Sequence, residues 1–414
     1  MSRSIIGKYA KVRRGASPRP ISDPKYFGGK VGWIRISDVT SSKKFLTKTD
    51  QYVSRLGESL SVRVNHGDLI MSICGTIGRP IIINMSACIH DGFVQLYDLN
   101  GIDTEFLYYS LQYSEEKLIA QGQPGTQVNL NTNIVSNFEI YVPDLPTQKR
   151  IAKILSTVDG QIEKTEAIIA KYQAIKQGML HDLFTRGIDL ATGKLRPNPE
   201  QAPERYKPSP LGLIPKDWDI EELARCCISN GKYGINAAAV DYSNDLPTYL
   251  RITDISDNGE FISLNKKSVN NPLSSNYILS SGDIVFARTG ASVGKTYLYN
   301  PDDGKLIYAG FLIKFSPKED KILPKFLKLI TELPYYKNWV TKTSMRSGQP
   351  GINGQEYGCF EIPLPHIEEQ ALICTKIESL ENLYISESKR LTKLEELKQG
   401  LLSKLLKPEK NYGI

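Results

Sequence analysis

Gln123-Pro124-Gly125 opens a stretch that passes through Phe138-Glu139-Ile140 and Pro143 and runs to residue 184 as a long polar and apolar segment carrying Gln177-Gly178. Gln349-Pro350-Gly351 opens a second stretch that passes through Phe360-Glu361-Ile362 and Pro365 and reaches residue 406 in the same kind of segment, with Gln399-Gly400. From the Phe-Glu-Ile triplet onward the two stay in constant register with no insertion, Phe138 matching Phe360 and Gly178 matching Gly400. The repeat also extends upstream. Trp33-Ile34-Arg35-Ile36-Ser37-Asp38-Val39 pairs with Tyr249-Leu250-Arg251-Ile252-Thr253-Asp254-Ile255, and Gly67-Asp68-Leu69-Ile70 with Gly282-Asp283-Ile284-Val285. Between these anchors the copies diverge, so the chain is a duplicated molecule with a common scaffold and a variable surface.

In the first long segment Ile151, Leu155, Val158, Ile162, Thr165, Ile169, Tyr172, Lys176, Met179 and Leu183 step alternately by four and three. Ile373, Ile377, Leu380, Tyr384, Glu387, Leu391, Leu394, Lys398, Leu401 and Leu405 repeat the pattern. Only Thr165, Lys176, Glu387 and Lys398 are polar and neither run contains proline, so each reads as a coiled-coil seam. Each helix spans roughly 40 residues, or ~60 Å at about 1.5 Å per residue. An apolar stripe needs a partner, and the stripe of the other copy matches it in length and register. Connectivity then dictates an antiparallel hairpin with a whole domain inserted at its tip. The alternatives are pairing with another subunit or folding back onto the adjoining globule. Between Gly187 and Pro215 six prolines read as an extended linker.

A chain of 414 residues with 40% hydrophobic and 23% charged content has room for two or three domains, each with its own core. No apolar run approaches the ~18 residues of a spanning helix, and the N-terminus lacks a signal-peptide core, so a cytoplasmic protein is expected. The six cysteines show no CxxC spacing and only four histidines are present. Reduced thiols in a core are therefore expected, without a metal site. The net charge of +7 includes a cluster of Lys8, Lys11, Arg13, Arg14 and Arg19, compatible with a polyanionic partner.

Short β-type runs (Gly32 to Val39, Asp68 to Ile73, Pro80 to Asn84, Phe93 to Tyr97, Asp283 to Ala287, Leu306 to Phe315) alternate with turns. Helical runs at Thr104 to Ser114 and Pro324 to Thr331 are interspersed. The fold class is α+β: two mixed α/β globular domains separated by two long antiparallel coiled-coil helices, in a pseudo-twofold internal repeat.

Motifs for catalysis are incomplete. Thr289-Gly290-Ala291-Ser292-Val293-Gly294-Lys295-Thr296 imitates a P-loop but has Thr289 where the first glycine is required. Gly75-Thr76-Ile77-Gly78-Arg79 lacks the Lys-Thr pair altogether, so both read as tight glycine turns after a strand that present a cation. Asn271-Pro272-Leu273 lacks the Asn-Pro-Pro-aromatic pattern of amine methylation, and no glycine fingerprint for an adenosyl cofactor opens a βαβ unit. Glu115-Glu116-Lys117 and Glu396-Leu397-Lys398 lie on helices as solvated faces. What remains are contact loops. The first copy has Arg13-Arg14-Gly15-Ala16-Ser17-Pro18-Arg19-Pro20 and an amide-rich run around Gln121 to Asn133; the second has Arg346-Ser347-Gly348-Gln349 and Asn353, with Arg288 and Lys295 on its glycine turn. Arg and Lys suit guanine, Asn and Gln suit adenine, Ser and Thr suit phosphate.

These parts, in this order and duplicated, resemble the specificity subunit of type I restriction-modification systems over essentially the whole chain. The carriers are the Arg14-Gly15-Ala16-Ser17-Pro18-Arg19-Pro20-Ile21 loop, the Trp33 to Asp38 segment, Gly67-Asp68-Leu69-Ile70 with its glycine turn, the Gln-Pro-Gly segments, Leu213-Ile214-Pro215-Lys216-Asp217-Trp218, and the two Gln-Gly helices. The resemblance implies target recognition domains at 1–145 and 213–365, helical regions at 146–186 and 366–407, a linker at 187–212 and a tail at 408–414. It implies no catalytic or metal-binding residue in this chain. The implied partners are double-stranded DNA with a split recognition sequence, two methyltransferase subunits and restriction/translocase subunits, with no membrane. S-adenosylmethionine, ATP and Mg would belong to the partner subunits. DNA contacts are expected in the first copy from Lys11, Arg13, Arg14, Ser17, Arg19, Arg35, Thr76, Arg79, Gln121, Gln123, Gln127 and Asn129. In the second they are expected from Lys232, Tyr233, Arg251, Arg288, Thr289, Lys295, Arg346, Ser347, Gln349 and Asn353. The competing reading is a coiled-coil adaptor with two ligand-binding heads and no DNA role.

Overall fold

The computed structural model describes residues 3–121, 129–345 and 348–407. It divides into two compact units, Met1–Ala167 with Glu387–Ile414, and Ile168–Ser386.

In the first unit a five-stranded sheet runs in the order Lys11–Arg14, Phe93–Tyr97, Leu69–Ser72, Pro80–Ile83, Phe45–Leu46, antiparallel except for its last pair. A four-stranded sheet follows the order Gln51–Val53, Phe27–Ile34, Ala87–Ile89, Val62–Val64, with its central pair parallel. Alternation along one buried strand connects the layers: Leu69 and Met71 pack with Phe106, Leu107 and Leu111 of the helix Thr104–Tyr113, whereas Ile70 packs with Ile34, Val64 and Ile89 of the second sheet.

The second unit repeats this plan. Its sheets run Lys232–Tyr233, Leu312–Phe315, Ile284–Ala287, Thr296–Leu298, and Ala239–Asp241, Lys267–Val269, Thr248–Leu250, Leu306–Tyr308, the last pair parallel. Ile284 and Phe286 pack toward Phe326 and Leu327, Val285 and Ala287 toward Leu306 and Tyr308. In both units the strand within the Phe-Glu-Ile repeat closes the domain: Glu139–Tyr141 pairs with Arg3–Ile5, and Glu361–Leu364 with Asp219–Glu222.

The strand Glu139–Tyr141 leads to a 41-residue helix, Leu145–Thr185, and the strand Glu361–Leu364 leads to a 39-residue helix, Ile367–Leu405. A buried glutamine roots each helix. Gln148 donates to the carbonyls of Pro143 (2.8 Å) and Gly101 (3.1 Å) and accepts from the Asp103 N–H (2.8 Å). Gln370, its counterpart in the repeat, donates to Pro365 (2.9 Å) and Lys321 (2.8 Å) and accepts from Leu323 (2.9 Å). Each core includes segments of both helices. In the first unit Ile151, Ala152 and Leu155 share a cluster with Leu402 and Leu406, and Lys398 pairs with Asp159 at 2.7 Å. In the second Leu180, Leu183 and Phe184 share a cluster with Ile373, Cys374 and Ile377, and Lys176 pairs with Glu381 at 2.8 Å and Glu332 at 2.7 Å. Lys176 matches Lys398 in the register of the repeat, and Asp159 matches Glu381, so the same cross-link occurs in each unit.

Three expectations are corrected. The proline-rich stretch read as an extended linker forms two hairpins, Ile188–Asp189 with Lys194–Leu195 and Tyr206–Ser209 with Gly212–Pro215. Arg196 pins it down by a forked pair with Glu369 (2.5 and 3.0 Å), which also accepts from the Trp218 indole (3.1 Å) and the Ile188 N–H (2.6 Å). The β run Gly32 to Val39 ends at Ile34 and turns into the helix Ile36–Ser41, because the Asp38 carboxylate accepts the Arg35 N–H at 2.7 Å and starts a helical turn. The run Leu306 to Phe315 breaks into two strands at Ala309-Gly310-Phe311. All six cysteines are free; burial raises the Cys88, Cys226 and Cys374 thiols to about 11 and Cys227 to about 12, so these four are inert packing residues. Among the described residues no helix is long and apolar enough to cross a membrane.

Candidate nucleic-acid interface

The contact loops gather at one end of each head, on matching backbone. After the edge strand, Gly15 donates to the Phe93 carbonyl (2.9 Å) and Ala16 to Ile89 (3.2 Å); in the second head Gly234 donates to Leu312 (3.1 Å) and Ile235 to Tyr308 (3.0 Å). A Cβ on Gly15 would lie 2.1 Å from the His90 carbonyl oxygen, and one on Gly234 would lie 2.3 Å from that of Ala309, so both glycines are required by close approach. A third chain completes the end. Ile73 N–H donates to Gly92 (2.8 Å) and its carbonyl accepts from Leu130 (3.0 Å), as Arg288 donates to Phe311 (3.0 Å) and accepts from Ile352 (2.9 Å). The glycine turns also correspond, Gly75 to Gly78 and Gly290 to Gly294, all four glycines at positive φ.

On this shared frame the side chains differ. In the first head Asp91 organises the arginine loop: its carbonyl accepts from Arg14 Nε (2.7 Å), and its carboxylate from the Ser17 hydroxyl (2.6 Å) and Arg19 Nη2 (2.8 Å). The Ser17 hydrogen bond, aided by Arg19, holds the Asp91 carboxyl below the usual carboxylate range. His90 lies against Phe93 at 4.8 Å and Trp33 at 5.9 Å, accepts the Gly92 N–H on Nδ1 at 2.8 Å, and has its pKa pushed down by burial. A cavity of about 450 Å³ opens among Ser17, Arg19, Trp33, Arg35, His90 and Asp91. The Arg35 side chain is exposed and has no hydrogen-bond acceptor or ion-pair partner among the described residues.

Other expected contact residues in this head have internal partners. Arg13 stacks on Tyr97 at 4.8 Å and donates to Gln95 at 2.7 Å, Lys11 pairs with Asp98 at 2.7 Å, and Arg79 donates to the Ser42 carbonyl at 3.1 Å. Thr76 receives the Ser72 hydroxyl on its carbonyl. Gln121 and Asn129 are exposed, and Gln123 and Gln127 lie outside the described residues.

In the second head Arg251, the counterpart of Arg35, is held by Asp254 through two contacts of 2.8 and 2.6 Å. Lys295 pairs with Asp257 at 2.7 Å, and the Asn353 side chain caps the helix Gly354–Gly358 by accepting from Glu356 N–H at 2.9 Å. Thr289 bridges Gly351 through its backbone. Lys232 and Gln349 are exposed; Arg346 and Ser347 lie outside the described residues. Arg288 lies over the Tyr233 ring at 4.8 Å, and the Tyr233 hydroxyl accepts the Gly354 N–H at 2.9 Å. Asp91, His90 and Phe311 are missing from the sequence-based set. The repeat itself carried a signal for them, because His90-Asp91-Gly92 and Ala309-Gly310-Phe311 occupy the same turn.

Two heads built on one backbone, carrying unlike side chains at the same end and rooted on long helices, define a duplicated recognition scaffold. Residues 9–173 and 215–398 match the family of the type I restriction modification DNA specificity domain, and the chain belongs to that family. It is a type I restriction-modification specificity subunit with two target recognition domains. Over 415 residues it is 28% identical to the type I restriction enzyme MjaVIII specificity subunit of Methanocaldococcus jannaschii, covering 97% of this chain and 91% of that protein. Over 364 residues it is 23% identical to the EcoBI specificity subunit of Escherichia coli, covering 83% and 73%. The S subunit of a type I system from M. genitalium shares the fold, with a TM-score of 0.60 at 15% identity over 99% of this chain and 96% of that one.

Proposed function

We propose that the heads, residues 1–145 and 213–365, each read one half of a split double-stranded DNA sequence. The helices at 146–186 and 366–407 act as an antiparallel coiled coil that sets the spacing and seats two methyltransferase subunits, joined by restriction/translocase subunits. The chain itself is the non-catalytic reader of this cytoplasmic complex; S-adenosylmethionine, ATP and Mg serve the partners. Arg14, Ser17 and Arg19 form a preorganised loop over Asp91 rather than independent probes, and Arg35 is the uncommitted cation beside it. Two heads a helical turn apart on B-DNA, ~34 Å, would meet the same face of the duplex.

The observation that carries this reading is that corresponding backbone positions hold Ile73, Asp91 and Gly92 in one head and Arg288, Gly310 and Phe311 in the other. A shared frame with exchanged tip residues is what two different half-sites require, since base edges are read by side chains. The test is to exchange residues 1–140 with those of a related subunit and sequence the methylome of a host carrying the hybrid with its methyltransferase. One half of the methylated motif should change while the other stays; a motif that changes in both halves, or in neither, refutes the two-reader assignment.

A further inference from the structure

Most arginines near the tips have an acceptor in this chain: Gln95 for Arg13, the Asp91 carbonyl for Arg14, the Ser42 carbonyl for Arg79, the Asp254 carboxylate for Arg251. Arg288 has none. It is half-buried, its Nε is fully buried without a partner, and no acceptor for the guanidinium occurs among the described residues. Arg35 also lacks an acceptor among the described residues, but it is exposed, so it carries no buried donor. A guanidinium with no acceptor among the described residues is rare in a native protein, and since Nε is enclosed, its Nη groups are the donors left for a group supplied from outside.

The guanidinium is nevertheless held. It lies 4.8 Å from the centre of the Tyr233 ring, and that ring is fixed by the hydrogen bond from Gly354 N–H to its hydroxyl. Contact with the aromatic face leaves the Nη fork of the guanidinium to a ligand, while Nε stays enclosed. Immediately beside it, on the chain whose carbonyl accepts the Arg288 N–H, Phe311 is 57% exposed and offers an apolar ring next to the cation. The exposed Gln349 approaches the same turn at Gly290. A planar cation with a free fork and an adjacent exposed ring suit the edge of a base pair better than a phosphate, which asks for charge without a flat apolar neighbour.

Resting on the DNA-reading function above, we propose that Arg288, held over the Tyr233 ring, reads the O6/N7 edge of a guanine in the half-site of the second head, with Phe311 packing on the neighbouring base. The first head has no counterpart, because Ile73 occupies that backbone position and is buried.

The test uses the full chain assembled with its methyltransferase subunits, on duplexes of its methylated motif in which guanines are replaced one at a time by 7-deazaguanine, which lacks the N7 acceptor. One replacement, in the half-site that changes when residues 213–365 are exchanged, should weaken binding by about tenfold or more. The same replacement should have no further effect on R288A, and a reduced effect on R288K and on Y233L, which keeps the arginine but loses its platform. Unchanged sensitivity to every replacement in R288A overturns the proposal. Should R288A bind no duplex, unchanged sensitivities in both R288K and Y233L overturn it. A second half-site without guanine overturns it as well. If the wild-type assembly methylates no split motif at all, the proposed function falls and takes this inference with it.

Discussion

His90-Asp91-Gly92 in the first head and Ala309-Gly310-Phe311 in the second form the same turn, yet one is a half-buried acidic anchor and the other an exposed aromatic tip. In the first head the carboxylate holds Ser17 and Arg19 and the backbone of Asp91 holds Arg14, so the loop is fixed in place and the charge of Arg19 is paired. In the second head no acid occupies the turn, and the arginine arises instead from the strand end, at Arg288. Backbone hydrogen bonds tolerate this exchange because they are blind to the side chain. Specificity can therefore diverge at the tips without disturbing either core.

The comparison reverses at the helix roots, where the second unit carries an anchor that the first lacks. Glu369 is 1% exposed and accepts from Arg196, Trp218 and Ile188; its counterpart in the repeat is Thr147, half-buried and bonded to Asp144. Replacing Glu369 with alanine leaves the buried guanidinium of Arg196 with Asp217 (2.6 Å) as its remaining carboxylate and takes the acceptor from the Trp218 indole and the Ile188 N–H, and should destabilise the second unit by about 3 kcal/mol. T147A should cost under ~1 kcal/mol. Denaturant melts of the two variants check this, and equal midpoints would show that Arg196 finds other partners.

Gln148 and Gln370 offer the opposite expectation, a feature the two units share. Each variant, Q148A or Q370A, removes three hydrogen bonds and leaves two carbonyls and one N–H without partners, a loss of about 2–3 kcal/mol. The effects should agree to within ~0.5 kcal/mol in matched melts. A twofold difference in midpoint shift would mean that the roots have diverged as far as the tips.

How much of this was legible follows from the distance over which each residue acts. Every seam position from Ile151 to Leu183 and from Ile373 to Leu405 is buried or half-buried, Thr165 included, because four-three stepping encodes a face within a single helix. The destinations of Ser17 and Arg19 lie far along the chain, at Asp91, and no local pattern announces them. Asn353 looked like a base-reading amide and serves as a helix cap, an alternative that its position three residues before Glu356 carried all along. The prolines of residues 197–215 suggested a linker, whereas one arginine and one distant glutamate make the stretch part of the second core. The strand Gly32 to Val39 was lost to a similar local competitor, the Asp38 carboxylate capping the Arg35 N–H.

The smallest effect probes the first head through pH. The Asp91 carboxyl is held below its unfolded value of about 3.9 chiefly by the Ser17 hydroxyl. A depressed carboxylate contributes stability that is present above the unfolded pKa and is lost as pH falls through the folded one. The side chain is 39% exposed, so solvent screening limits the contribution to about 1 kcal/mol or less, and it acts on the loop rather than on the whole unit. D91N keeps the shape and removes the charge. Hydrogen exchange of the backbone amides from Arg14 to Ile21 should therefore be several-fold slower in the wild type than in D91N near neutral pH. The ratio should stay constant down to about pH 5, shrink below about pH 4, and approach one as Asp91 protonates. The second head has Gly310 at that position and its loop amides should show no such change in either protein. A ratio that persists undiminished at the acid end would mean that packing around Pro18, not the carboxylate, holds the arginine loop in place.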